Sequence, residues 1–177
     1  MSKDYEKVIS GIFEIHQTQL DIATEVIRAS FATVAEEFGL NKQNCPTHTS
    51  FTTAEKLQNH CNWGWLMYGL YENERLVGHI SISKSREING VYEIHNVAVL
   101  PEFRHKGYGK QLLDFCKAKV IELGGIKITA DIINENTVLK NWYAANGFIH
   151  TGTKKYEHLP FTVGYMECEV NNSCLVQ

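Results

Sequence analysis

The chain has 177 residues, 44% of them hydrophobic, and a formal net charge of −3. That length predicts one domain, and so large an apolar share excludes a disordered chain. The slight negative balance offers no general attraction to nucleic acid or to an anionic membrane, so neither is an expected partner.

The opening Met1-Ser-Lys-Asp-Tyr-Glu-Lys has acidic residues and no apolar run, and does not read as a secretory signal. No apolar stretch approaches the length of a membrane span. Cys45, Cys61, Cys116, Cys168 and Cys174 are an odd number without C-x-x-C spacing, which predicts reduced thiols and a cytoplasmic protein. Ile12 to His16 reads as a first strand. Thr18, with Asp21 three residues on, is the expected N-cap of a long helix. Leu20, Ala23, Ile27, Phe31, Val34 and Phe38 form its apolar stripe, and Gly39 its stop. After a loop from Asn41 to Ser50, Thr52 or Thr53 starts a shorter helix through about His60, closed by Trp63-Gly64-Trp65. Leu66 to Tyr71, Leu76 to Ser85 and Val91 to Val99 read as strands two to four. Asn89-Gly90 is a hairpin signal, so these three form an antiparallel meander.

The fourth strand ends at Leu100-Pro101, and Arg104-His105-Lys106-Gly107-Tyr108-Gly109-Lys110 follows. Leu112, Cys116, Val120 and Leu123 then share one helical face. Glycines at a helix start let main-chain N–H groups approach a ligand. Those first N–H groups lack internal partners and lie at the positive end of the helix dipole, so the place suits phosphate. A Walker loop is excluded because Gln111 follows Lys110, and a dinucleotide fingerprint because Leu112 replaces its third glycine. Gly124-Gly125 ends the helix. Ile126 to Ile133 reads as a fifth strand parallel to the fourth across the helical crossover. Glu135 to Ala145 is a helix stopped by Asn146-Gly147, and Phe148 to Tyr156 and Thr162 to Val170 are strands six and seven. The expected domain is 1–170, with 171–177 as a loose tail. Cys45-Pro-Thr-His48 with His60-Cys61 has a faint zinc spacing that a structural loop explains as well, and no metal is expected.

The strand V-A-V-L-P, then R-x-x-G-x-G, then a helix resembles the acetyl-CoA site of the GNAT family of N-acetyltransferases. The order β-α-α-β-β-β-α-β-α-β-β extends the resemblance over nearly the whole chain. It implies an α/β (α+β) fold with a mixed, mostly antiparallel central sheet of about seven strands flanked by about four helices. It implies transfer of an acetyl group from acetyl-CoA to a primary amine of a small molecule or protein. By the same resemblance, backbone groups of Val97 and Val99 pair with the pantetheine like an added strand. His105, Lys106, Gly107, Tyr108, Gly109 and Lys110 supply N–H groups to the pyrophosphate. The side chains of Arg104 and Lys106 reach other phosphates or solvent.

An amine of pKa about 10.4 is almost wholly protonated at neutral pH, so a general base or a water relay is useful. Glu93 and His95, two apart on strand four, are the candidates, and strand alternation places them on one face with Val97 and Val99. Family members that acetylate histones carry a Glu where Glu93 stands, and those that acetylate arylalkylamines carry histidines at these two positions. Asn136 to Phe148 looks like the family pattern N-x-x-A-x-x-x-Y-x-x-x-G-F, with Val138 read as the replacement for the common Ala. It implies that Tyr143 protonates the leaving thiolate and that Asn136 touches the pantetheine. Asn134 is open to two readings, a cap of that helix or a cofactor contact, and the cap is the one expected. The acceptor pocket is expected among Phe31, Glu36, Glu37, Trp65, Tyr68, Tyr156, His158 and Phe161. Many members pair, which leaves room for a homodimer. The alternative function is a module that holds an acyl-CoA without turnover.

Overall fold

The computed structural model describes residues 10–171. Its strands are β1 (Gly11–Glu14), β2 (Leu66–Glu72), β3 (Arg75–Lys84), β4 (Val91–Val99), β5 (Lys127–Ile133), β6 (Ile149–Lys155) and β7 (Thr162–Glu169). Its α-helices are α1 (Leu20–Glu37), α2 (Ala54–Asn62), α3 (Tyr108–Glu122) and α4 (Thr137–Ala145). The strands form one sheet in the order β1-β2-β3-β4-β5-β7-β6. The β4–β5 pair is parallel and the other neighbours are antiparallel, as the crossover through α3 requires. The expected tail and Cys174 lie outside the described residues, apart from Asn171.

Period-two alternation along the strands gives the sheet two apolar faces. On one, Leu112, Leu113, Cys116 and Val120 of α3 pack on Ile80, Ile82, Ile94, Ile128 and Met166. On the other, Ala23, Val26 and Ile27 of α1 and Leu57 of α2 pack on Met67, Leu76 and Ala98. Each fully buried aliphatic side chain contributes about 1.5–3 kcal/mol by leaving water, so each layer holds its helices firmly.

Local chemistry sets the helix starts, with two corrections. Thr53 caps α2 as expected, its hydroxyl accepting the Lys56 N–H at 3.2 Å. Helix α1 is entered through a 3-10 turn at Gln17–Gln19, where Gln19 Oε1 accepts the His16 N–H at 3.0 Å; its N-cap is Gln19 and not Thr18. Asn136 rather than Asn134 caps α4, accepting the Leu139 N–H at 2.9 Å. Asn134 Oδ1 instead accepts from Lys140 Nζ at 2.5 Å.

Two irregularities in β4 shape the molecule. First, β4 pairs with β5 only from Val91↔Lys127 to Glu93↔Thr129, and beyond that point the strands part. Second, His79 faces Ala98 and Ser81 faces His95, so two steps on β3 answer three on β4. The additional residue is a β-bulge at Asn96, which adopts φ 51°. A bulge reverses the alternation of everything after it. Tyr92 and Ile94 lie in the α3 core, and Val97 and Val99 pack against that same core. His95 points the other way onto Trp65, and Ala98 and Leu100 join the α1–α2 core. The expectation that Glu93 and His95 share a face with Val97 and Val99 is therefore overturned.

Candidate active site

The parting of β4 and β5 opens a cleft of about 1190 Å³. Its floor is Glu93 to Val99 on one side and Thr129 to Ile132 on the other. One end meets the start of α3, and α1 forms a wall.

At the α3 end the backbone does the work. His105 and Gly107 take φ values of 61° and 82°, both left-handed. Such a turn gathers successive N–H groups into an anion-binding concavity. For a residue with a Cβ, the Gly107 conformation costs about 1–2 kcal/mol. Gly107 is the N-cap of α3 and offers no side-chain cap, so the first-turn N–H groups are not satisfied in that way. Gly109 has a different reason to be glycine. A Cβ there would lie 2.9 Å from Trp142 Cζ2, so α4 packs its indole directly on the first turn of α3. The uncapped helix start, opening on a strand edge freed by the splay, fits a diphosphate joined to an extended amide-bearing arm.

The basic side chains of this loop are engaged elsewhere. Arg104 turns to α1, donating to Ser30 O at 2.7 Å, Thr33 Oγ1 at 3.1 Å and its own strand's Val99 O at 3.3 Å. Lys106 Nζ lies 4.7 Å above the Phe103 ring, and Lys110 pairs with Asp114 at 2.6 Å. The Tyr108 hydroxyl donates to Glu72.

Tyr143 lies on α4, 4% exposed, and lines the cleft. Its ring meets Trp142 and Phe148 edge-on at 5.0 Å. Burial, with a smaller contribution from Cys116, pushes its phenol above the usual range and keeps the proton on oxygen. Asn136 also lines the cleft, with its oxygen committed to the α4 cap. The assignment of the pattern's alanine to Val138 is corrected: three residues after Asn136 stands half-buried Leu139, which packs against the core, whereas Val138 is exposed.

The α1 side is built from side chains. His95 Nε2 lies 2.9 Å from Ser83 Oγ and 3.8 Å from Glu93 Oε2. Its ring stacks on Trp65 at 4.0 Å and 17°, Trp65 stacks on His60 at 3.9 Å and 22°, and Trp63 leans on His60 at 5.5 Å. Burial, then the neighbouring His60, lowers the His95 pKa to about 4, so this imidazole is neutral at physiological pH. Across the gap, burial and then Glu93 raise the Asp131 carboxyl.

The remaining expected pocket residues divide. Phe31 and Glu37 line the cleft. Tyr68 lies on the opposite face, edge-on to Phe115 at 4.7 Å, and so is no part of an acceptor pocket. Phe161 packs with Ala35, Leu40 and Ile133. The Tyr156 hydroxyl bonds that of Tyr165 at 2.9 Å, and His158 leans on the Tyr156 ring. Glu36 is exposed on α1. The sequence reading missed Ser83, His60, Trp142 and Asp131. Ser81 and Ser83 at period two on a strand are the one signal that a polar stripe runs there. No group of three or more His, Cys, Asp or Glu side chains among the described residues is placed to hold a metal. No helix among them is long and apolar enough to cross a membrane.

A split sheet over an uncapped helix start is the architecture of acyl-CoA-dependent transferases, and comparison with known proteins agrees. The profile of the "Acetyltransferase (GNAT) family" matches residues 31–148, so the chain belongs to that family, whose acetyl donor is acetyl-CoA. It is similar in fold to the PaiA N-acetyltransferase of Thermoplasma acidophilum in complex with coenzyme A, with a TM-score of 0.75, 21% identity, and coverage of 91% of this chain and 99% of that one. YncA of Salmonella typhimurium with acetyl-CoA gives a TM-score of 0.68 at 16% identity, covering 92% of this chain and 94% of that one. A tRNA(Met) cytidine acetyltransferase, TmcA 2, of Saccharolobus solfataricus is 31% identical over 88 residues. That match takes in 49% of this chain and only 11% of the relative's length.

Proposed function

We propose that the protein is an N-acetyltransferase for a primary amine of a small molecule or protein, with His95 as base, assisted by Glu93, and Tyr143 as acid. One observation carries the reading. One cleft, opening on the uncapped start of α3, is lined both by His95, 3.8 Å from the Glu93 carboxylate, and by the buried Tyr143, so a base and an acid border the same space.

In this scheme the N–H groups from His105 to Lys110 hold the diphosphate of acetyl-CoA, and backbone groups at Val97 and Val99 align its arm. His95, directly or through water beside Glu93, takes a proton from the ammonium group of the acceptor. The freed nitrogen attacks the thioester carbon and forms the C–N bond. As the C–S bond breaks, Tyr143 gives its proton to sulfur. The nitrogen loses its second proton, which resets the phenol, so the net reaction releases one proton. General acid and base assistance of this kind contributes about 10²–10⁴-fold each.

The test is an amine panel assayed by mass spectrometry for N-acetyl products, with calorimetry of acetyl-CoA binding alongside. Wild type should acetylate at least one amine, and Tyr143→Phe should lose about a hundredfold in kcat while still binding acetyl-CoA. A wild type that binds acetyl-CoA and acetylates nothing overturns the reading in favour of a non-catalytic acyl-CoA module.

A further inference from the structure

The R-x-x-G-x-G resemblance assigns the Arg104 side chain to phosphate or solvent, but its contacts point elsewhere. All three of its hydrogen bonds go to protein groups. Two reach α1, at the Ser30 carbonyl (2.7 Å) and the Thr33 hydroxyl (3.1 Å), and one returns to the Val99 carbonyl at the end of β4 (3.3 Å). A guanidinium has five donors in a planar fork, and this one spans three segments with it.

The Ser30 carbonyl sits mid-helix and also accepts the Thr33 hydroxyl at 3.2 Å, while the buried Ser30 hydroxyl donates to Val26 O at 2.7 Å. This stretch of α1 is thus polar where it meets the loop, inside a helix whose other inward positions are apolar apart from Thr24. The stretch from Ser30 to Val34 lines the same cleft as Gly107 to Lys110. The residue immediately after Arg104 begins the left-handed turn that leads to the α3 start. One side chain therefore joins the diphosphate turn to the wall that faces Glu93 and His95.

We propose that Arg104 is a positioning residue: it braces α1 against the diphosphate turn, so that seating acetyl-CoA also fixes the acceptor wall. The inference rests on that turn being where acetyl-CoA binds, and it needs no identified acceptor to test. When acetyl-CoA steadies His105 to Lys110, the brace carries that order to residues 30–37. Arg104→Met keeps the aliphatic stem and removes the fork. Thr33→Val removes one strut and leaves the arginine in place.

The experiment is amide hydrogen exchange of the full chain with and without saturating acetyl-CoA, together with calorimetric titration at two salt concentrations. Wild type should show slowed exchange both at 105–110 and at 30–37 on binding. Arg104→Met should keep its acetyl-CoA affinity within about threefold and its protection at 105–110, yet lose the added protection at 30–37, a coupling expected to be about fivefold or more. Thr33→Val should lose part of it, and Arg104→Lys should fail to restore it, because an ammonium cannot span the three acceptors. Two results overturn the proposal. One is that Arg104→Met costs about tenfold or more in affinity with a flatter salt dependence, as a phosphate ligand would. The other is that ligand-induced protection at 30–37 survives in Arg104→Met; should that variant not fold, full protection in Thr33→Val overturns it equally. If wild type takes up no acetyl-CoA at all, the site assignment fails instead, which is a separate result.

Discussion

The two walls of the cleft are made of different materials. At the α3 end, the parts that suit a diphosphate are main-chain groups in a left-handed turn, and the nearby cations are spent on Phe103, Asp114 and α1. On the α1 side, His95 borders the cleft and is backed by a column of packed side chains, Ser83, Trp65 and His60, and the backbone contributes only its frame. A wall of backbone holds what every member of a family shares, whereas a wall of side chains can be rewritten residue by residue to suit one acceptor.

Gly107→Glu gives the sharpest test of that contrast. It forces a Cβ into φ 82° and adds a negative charge beside the helix start, so acetyl-CoA affinity should fall about a hundredfold or more by calorimetry. On the other wall, His95→Gln should lower kcat by about ten- to a hundredfold and leave acetyl-CoA affinity unchanged, as equilibrium titration and steady-state rates would show.

Stability should also follow the polar side. His95 and the wholly buried His79 both have pKa values pushed to about 4, mainly by burial. In the unfolded chain they titrate near 6.5, so below that pH the unfolded state binds protons that the native state refuses. Their contribution is intact above about pH 6.5 and is lost as pH falls towards 4. By pH 5.5 it should have dropped by on the order of 1 kcal/mol per histidine in urea denaturation, and His95→Gln should soften the slope. Trp65→Leu acts on the same column more gently. It lets water reach His95, so the acid limb of the rate profile should move up in pH with a loss of about tenfold or less in kcat at neutral pH. The smallest effect belongs to Lys106→Ala and Lys110→Ala. If the diphosphate wall is main chain, each changes acetyl-CoA affinity by about twofold or less at physiological salt, and a large loss would break the contrast drawn here.

The same contrast explains what the sequence made legible. Strand β4 was readable to the residue, and so was the loop with its glycines, because β-branched runs and breakers are local signals. The β2-β3-β4 meander and the parallel β4–β5 pair followed from a hairpin signal and a crossover helix, whereas the insertion of β7 between β5 and β6 had no local signal. The bulge at Asn96 was hidden, because Val-Tyr-Glu-Ile-His-Asn-Val-Ala-Val alternates acceptably in either phase. Only an asparagine, which tolerates φ above zero, marks the place. The stacking of His95 on Trp65 was invisible because the two lie thirty positions apart. Arg104 was misleading for another reason. A motif records that an arginine stands there and says nothing of which way its fork is turned.

The inserted residue in β4 has one more consequence. It lets a single nine-residue ribbon serve two masters without compromise. Upstream of Asn96 the positions on the His95 face can drift towards a new chemistry, while downstream Val97 and Val99 stay seated against the α3 core. The same sequence run as a regular strand, with no bulge, would put His95 out of step with Ala98 and Leu100 and turn Val97 and Val99 to its face, and the two ends of the strand would then have to evolve together.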